Sequence, residues 1–380
     1  MRQSEIDFRT LRAHIRDALQ RSSQVSVGEL LAEFPPKSTD PVTFLGAQFD
    51  KGLAWVHFEE GFGGLGLNPK LQRLVNERIY AEGAPNPVAR NPIGHGMCGP
   101  TVAVWGSPEQ KKRYLRPLFT GEEVWCQLFS EPGAGSDLAS LTTKAVKDGD
   151  EWVITGQKVW TTGAHYSDIG EIMTRTDWNL PKHKGLTGFI VDMKAPGVDI
   201  RPLKQMTGEA EFDEVFFTDV EMPAEALLGP LHSGWGVGMA VLTSERGHIG
   251  TSVISLERRL DSISRLAEGR DLSSTERQEI VKLLSKGMAY KAMAQRQGPV
   301  ASTAASLMKL GITEMMFETS ILRSNISGMD SLLTGPEAFG VLSAPGGRIA
   351  GGTSQVQRNI IGERLLGLPR EPSAKKPENS

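Results

Sequence analysis

Hydrophobic and polar positions along this chain follow two periods, and the changes of period divide it into three parts. Ser4 precedes Phe8, Leu11, Ile15 and Leu19, a stripe at helical spacing. Phe34-Pro35-Pro36 breaks the pattern. Pro41–His57 and Pro69–Ala81 read as further helices, separated by the glycine-rich stretch Gly61–Gly66. Ser107-Pro108-Glu109 places a cap, a proline and an acid in the order a helix start needs, and predicts a helix to about Leu118. From Gly121 the texture becomes that of strands. Val124–Phe129 reads as one, and Thr142–Val146 and Glu151–Thr155 flank the hairpin signal Asp148-Gly149. Gly188–Met193 and Val215–Val220 are two more. Helical spacing returns at Gly234 and runs to about Leu366, with long segments near 236–268, 275–297 and 299–328 that predict a bundle. The polar, proline-containing stretch Glu371–Ser380 reads as a disordered tail. The pattern predicts an α+β chain: a helical domain over 1–120, a β domain over 121–232, a helix bundle over 233–370 and a tail over 371–380. No internal repeat is evident.

Composition narrows the function. The 380 residues are 39% hydrophobic and 23% charged, ordinary for a water-soluble protein with two or three cores. A formal charge of -3 gives no general basic field for nucleic acid. No apolar run approaches the roughly 20 residues that a membrane helix needs. Met1–Thr10 carries charges where a secretory signal has an apolar core. Two cysteines, Cys98 and Cys126, exclude a disulfide framework or a Cys-rich metal site, and the histidines form no metal-ligand spacing. His95, His165 and His248 read as structural or peripheral. A reducing cytoplasm is the expected compartment.

Two segments carry chemistry. Ser130-Glu131-Pro132-Gly133-Ala134-Gly135-Ser136-Asp137 follows an apolar strand, so its glycines let backbone come near a ligand while Ser130 and Ser136 add hydroxyls. Alone this is an ordinary turn. About twenty residues later Gly156-Gln157-Lys158-Val159-Trp160-Thr161-Thr162 ends a strand in an aromatic and two hydroxyls. Trp160 read alone is a core aromatic. In this order and spacing the pair resembles the acyl-CoA dehydrogenase flavoproteins, and the resemblance extends over about residues 5–370. It implies N-terminal helices, a middle antiparallel β-barrel-like domain and a C-terminal four-helix bundle. It also implies FAD held by Gln127, Phe129, Ser130, Gly135, Ser136, Trp160, Thr161 and Thr162, with Trp160 against the ring.

The third segment is Gly351-Gly352-Thr353-Ser354-Gln355-Val356-Gln357, two glycines before a helix whose start reads as a capping box between Ser354 and Gln357. By resemblance Thr353 and Gln355 reach the FAD of a neighbouring subunit, which implies a tetramer of like chains or one shared with a related chain. Many family members carry glutamate at the position of Gly351, as the base that removes the substrate α-proton. Glycine has no such chemistry. A second branch keeps its base on an earlier bundle helix, before an arginine, and Leu242-Thr243-Ser244-Glu245-Arg246-Gly247 matches that segment. Glu245 is therefore the expected base.

The resemblance implies dehydrogenation of an acyl-CoA thioester to a trans-2-enoyl-CoA. Glu245 takes the α-proton, FAD N5 accepts hydride from the β-carbon, and an electron-transfer flavoprotein receives the electrons. Ser136, Thr243, Arg246 and Gly351 are the expected substrate contacts, Gly351 through its N–H to the thioester oxygen. The paired glycines at 351 and 352 leave room for a bulky, branched or steroid side-chain acyl group, in lipid catabolism. Two departures stand out. No Arg-x-Phe-Gly element occurs over Ala289–Gly298, where Arg296 is no more than a candidate substitute, and Asn325–Leu333 differs from the family's glycine-rich element. Two other readings stay open: a flavin monooxygenase or oxidase on the same fold, which can dispense with a base at 351, or, from the two departures, a cofactor-poor subunit of a heterotetrameric dehydrogenase.

Overall fold

The structure is a computed structural model that describes residues 27–250, 253–294 and 301–370, with the side chains of 243–250, 253–255, 267 and 301–304 outside the description. The expected helix after Ser4 and the tail 371–380 therefore lie outside the described residues. The described chain forms two compact units, 27–203 with 211–241, and 204–210 with 242–370.

The first unit begins with helices α1 (Val27–Glu33), α2 (Pro41–Asp50), α3 (Gln72–Ala81), α4 (Pro87–Arg90), α5 (Gly99–Trp105) and α6 (Pro108–Thr120). Helix α2 ends seven residues before the predicted His57. Gly52 turns the chain there at φ 71°, and a side chain on it would meet the Gly64 carbonyl at 2.6 Å. Phe44, Phe49, Trp55 and Phe119 fill the helical core, with Trp55 edge-on to Phe49 and Phe119. Between α4 and α5 the Gly94–Cys98 turn is a π-helix, an element with no sequence signal in the reading above.

Eight strands follow: β1 (Trp125–Leu128), β2 (Lys144–Asp148), β3 (Glu151–Thr162), β4 (Ile169–Arg175), β5 (Leu186–Asp192), β6 (Val198–Leu203), β7 (Phe212–Pro223) and β8 (Leu227–Leu228). They form one sheet in the order β6-β7-β3-β2-β4-β5-β8, with β1 beside β4. Most pairings are antiparallel, while β1 and one residue of β2 pair parallel to β4, so the sheet is mixed. The predicted hairpin is present, and its second strand runs on unbroken through Trp160-Thr161-Thr162. Every residue of β4 is buried, so no alternation marked it in the sequence.

Helix α7 (Gly234–Gly250) leads into α8 (Val253–Ser264), α9 (Ser274–Ala294), α10 (Ala301–Ser327), α11 (Pro336–Ile349) and α12 (Ser354–Arg364). In the second unit Leu256, Ile263, Ile280, Leu283, Met315 and Leu322 form the core. The helical ends and β middle agree with the predicted fold class.

Two polar devices hold the first unit together. Ser107 and Gln110 form a capping box at the start of α6. The Gln110 amide also donates to the carbonyls of Glu225 (2.8 Å) and Leu227 (3.0 Å), tying the helix to the chain beside β8. The second device is a buried ion pair. Lys158 on β3 is fully buried and its Nζ donates to Glu131 Oε1 at 2.9 Å and to the Phe129 carbonyl at 3.1 Å. Glu131 also accepts from the backbone N–H groups of Thr142 (2.6 Å) and Thr143 (2.8 Å) and from the Thr142 hydroxyl (2.8 Å). Burial alone would raise this carboxyl. The Lys158 charge and the threonine hydrogen bonds outweigh it and hold Glu131 down at about 2.

Replacing Gln110 with alanine strands two carbonyls and opens the capping box. Urea unfolding of Gln110→Ala is expected to show a loss of about 2 kcal/mol. Glu131 has a folded value below the ordinary 4.5, so its contribution is complete above that value and is lost as pH falls toward about 2. Thermal melts between pH 6 and 2.5 are expected to show a steeper acid fall in the parent than in Glu131→Gln, with the variant less stable throughout the upper part of that range.

Candidate active site

The turn after β1 is closed on itself. Glu131 and Ala134 exchange backbone hydrogen bonds of 3.1 and 3.0 Å, and the ion pair anchors this turn to β3. Beyond the closure Gly135 and Ser136 are exposed. A side chain built on Gly133 or Gly135 would meet nothing within 4 Å, so both glycines border open space. Ser130, at the mouth of the turn, is partly exposed. Its carbonyl accepts from Val159 N–H at 2.9 Å, yet among the described residues its own N–H and hydroxyl have no hydrogen-bond partner. Two donors side by side at an open turn suit a carbonyl or an anionic oxygen.

Trp160 stands opposite the single-residue expectation of a core aromatic: its side chain is 60% exposed. The cause lies in the register. Between Lys158↔Val215 and Thr161↔Asp213 strand β3 advances three residues and β7 two, a bulge. Lys158 and Val159 are both buried as a result, and Trp160 is pushed outward at φ 60°, a left-handed backbone that tryptophan rarely adopts. Phe212 supports the indole edge-on at 5.9 Å. Next to it Thr161 is buried with its hydroxyl unpartnered, and Thr162 is partly exposed. Trp160 is thus a strained, exposed aromatic beside one buried, unpartnered hydroxyl. Gln127 lies partly exposed on β1, and Phe129 is buried behind it.

The structure adds groups that the sequence did not announce. His165, read above as peripheral, donates through Nδ1 to Asp213 at 2.9 Å, while Asp213 is fully buried and also accepts the His165 backbone N–H. Glu171, the register partner of Gln127, is fully buried, and apart from the Cys98 thiol beside it its carboxyl oxygens lack a hydrogen-bond partner. Burial pushes it up to about 8, so at neutral pH it is the uncharged acid, which lowers the cost of its isolation to about 1–3 kcal/mol. Burial likewise raises the Cys98 thiol well above its usual range and Cys126 to about 12, so neither is a thiolate nucleophile.

In the second unit Gly351 and Gly352 have φ 66° and 93°. Their carbonyls are held by Gln357 Nε2 at 3.1 and 3.3 Å, and Lys309 Nζ donates to Gly352 at 2.6 Å. The cap of α12 differs from expectation by one residue. Thr353 is the N-cap, accepting from Val356 N–H at 3.2 Å, while Ser354 donates to Glu314 at 2.7 Å. Gln357 serves the two glycine carbonyls, so no Ser354–Gln357 capping box forms. Gln355 is exposed. Thr243, Glu245 and Arg246 fall on α7 with side chains outside the described residues, and Arg296 lies outside them altogether. Arg258, Arg265, Arg270 and Arg323, together with Asp261, Ser262 and Leu266, line a hollow of about 440 Å³. Arg323 is tied to Glu337 at 3.1 Å. Among the described residues no group of acids, histidines and cysteines could hold a metal, and no helix is long and apolar enough to cross a membrane.

Comparison with known proteins gives concordant matches. Residues 7–122, 126–220 and 232–366 match the N-terminal, middle and C-terminal domains of acyl-CoA dehydrogenase. Acyl-CoA dehydrogenase IpdE1 of Mycobacterium tuberculosis is 37% identical over 332 residues, covering 84% of this chain and 86% of that protein. Acyl-CoA dehydrogenase FadE34 of the same organism is 35% identical over 327 residues, 84% of this chain, but this chain spans only 45% of its length. Among solved structures, the ChsE4-ChsE5 complex from Mycobacterium tuberculosis superposes with a TM-score of 0.72 at 26% identity, covering 98% of this chain and 100% of that one. A structure described as a Tcur3481-Tcur3483 steroid ACAD variant gives 0.73 at 25% identity, covering 95% and 98%. With three consecutive domains matched and a relative aligned over most of both chains, this chain belongs to the acyl-CoA dehydrogenase family.

Proposed function

We propose that the chain catalyses FAD-dependent α,β-dehydrogenation of a bulky or branched acyl-CoA. The observation that carries this reading is the pair of unpartnered Ser130 donors at an open glycine turn, beside a strained and outward-facing Trp160. Donors that the chain leaves bare at an open turn are free to exchange water for a ligand. Ser130, Gly135 and Ser136 would hold the flavin and its phosphates. Trp160, Thr161 and Thr162 would wall one side of the ring, with Gln127 and Phe129 beside it. Thr353 and Gln355 would face the cofactor of a neighbouring chain.

When bound, the flavin supplies the hydride-accepting centre. The chain supplies the rest. Glu245 takes the α-proton as general base. The Gly351 N–H donates to the thioester oxygen as negative charge grows there. Thr243, Arg246 and Ser136 hold the thioester and its carrier. The names of the structural relatives, a steroid ACAD and a two-component ChsE4-ChsE5 complex, support a large acyl group and an assembly with a related chain. A flavoprotein acceptor and a cytoplasmic location complete the reading.

The test is an anaerobic visible titration of the purified protein with straight, branched and polycyclic acyl-CoAs, repeated for Glu245→Gln. The expected result is flavin bleaching in the parent, strongest with a bulky thioester, and a rate lowered by about 10²–10⁴-fold in the variant. Flavin that no thioester bleaches, and that reacts rapidly with oxygen once reduced, would replace this reading with an oxidase or monooxygenase.

A further inference from the structure

The buried ammonium of Lys158 does more than pair with Glu131. Its second hydrogen bond, 3.1 Å, goes to the carbonyl of Phe129, the residue immediately before Ser130. A trans peptide points its C=O and N–H in opposite directions. Fixing the Phe129 carbonyl inward therefore turns the Ser130 N–H outward, toward the open side of the turn. One residue on, the Ser130 carbonyl is fixed by Val159 N–H at 2.9 Å, from the residue next to Lys158. Two successive peptides are thus oriented by two successive residues of β3, at the start of the bulge that ejects Trp160. A cation on a carbonyl also polarises that peptide and makes its N–H a stronger donor.

We propose that Lys158 is a positioning residue for the cofactor, aiming and strengthening the Ser130 N–H as the donor that meets a flavin carbonyl or ring nitrogen. This rests on the functional reading above, in which Ser130 faces the flavin. The pairing with Glu131 lets a cation reside there at all, since a lone buried ammonium would lose its proton. Glu131 therefore acts at one further remove. The feature is invisible to a motif, because the charges lie 27 residues apart and neither touches the open side.

The test compares the parent with Lys158→Arg and with the double variant Lys158→Met/Glu131→Gln, which removes the ammonium without stranding a buried charge. FAD dissociation constants and the reduction potential of the bound flavin are measured in each, together with thermal melts. The Ser130 amide resonance is followed in the flavin-free proteins. The expected result is a tenfold or greater weakening of FAD binding in the double variant, a more negative flavin potential, and an upfield move of the Ser130 amide proton. Lys158→Arg is expected to stay near the parent in all three. A folded double variant with the parent's FAD affinity, potential and amide resonance would overturn the proposal. So would a Lys158→Arg protein that loses as much as the double variant at unchanged stability. A parent that binds no flavin overturns the functional reading and this inference together, whereas flavin bound by all three proteins with equal affinity and potential overturns this inference alone.

Discussion

The constraint on which the site depends is that a charge cannot stay buried alone. Lys158 has no access to solvent, so its position is tolerable only with Glu131 against it and a carbonyl as second partner. Glu131 in turn needs its threonine N–H groups. Satisfying both charges draws the turn after β1, the start of β2 and the middle of β3 to a single point. The glycine turn is then free to be open on its outer side, because its inner side is fixed. Open space at Gly133 and Gly135, and bare donors at Ser130, are stable features for that reason.

The same point explains the strain at Trp160. A tryptophan at φ 60° costs roughly 1–3 kcal/mol and survives only where neighbours overdetermine it. On one side Lys158 and Val159 are committed inward and hydrogen-bonded. On the other Thr161 is back in register with Asp213, which is itself held by His165. The residue between has no inward position left. Exposure of a large aromatic, usually unfavourable, is here the result of satisfying its polar neighbours.

Much of this was legible in the residues. The hairpin at Asp148-Gly149, the cap at Ser107 and the return to helix after Gly234 follow local rules and appear where expected. The glycine turn and the Trp-Thr-Thr strand end were visible as motifs. What was not legible is non-local. Strand β4 is buried on both faces and contains Gly170, Glu171 and Arg175, so neither alternation nor an apolar run marks it. The outward turn of Trp160 is a matter of register between β3 and β7. Helix α2 stops early because Gly52 must pass close to the Gly64 backbone, a contact with no sequence pattern. Thr353 and Ser354 are both good caps, and only the side-chain partner of Ser354 on α10 decides between them.

The backbone at Gly351 limits what that position can carry. At φ 66° that residue sits where a glutamate would lie in left-handed backbone, at a cost of about 1–2 kcal/mol, and its carbonyl is already engaged by Gln357. An acidic side chain introduced at 351 would therefore start from strained backbone, and the loop between α11 and α12 would have to rearrange before that residue reached an ordinary helical or extended conformation.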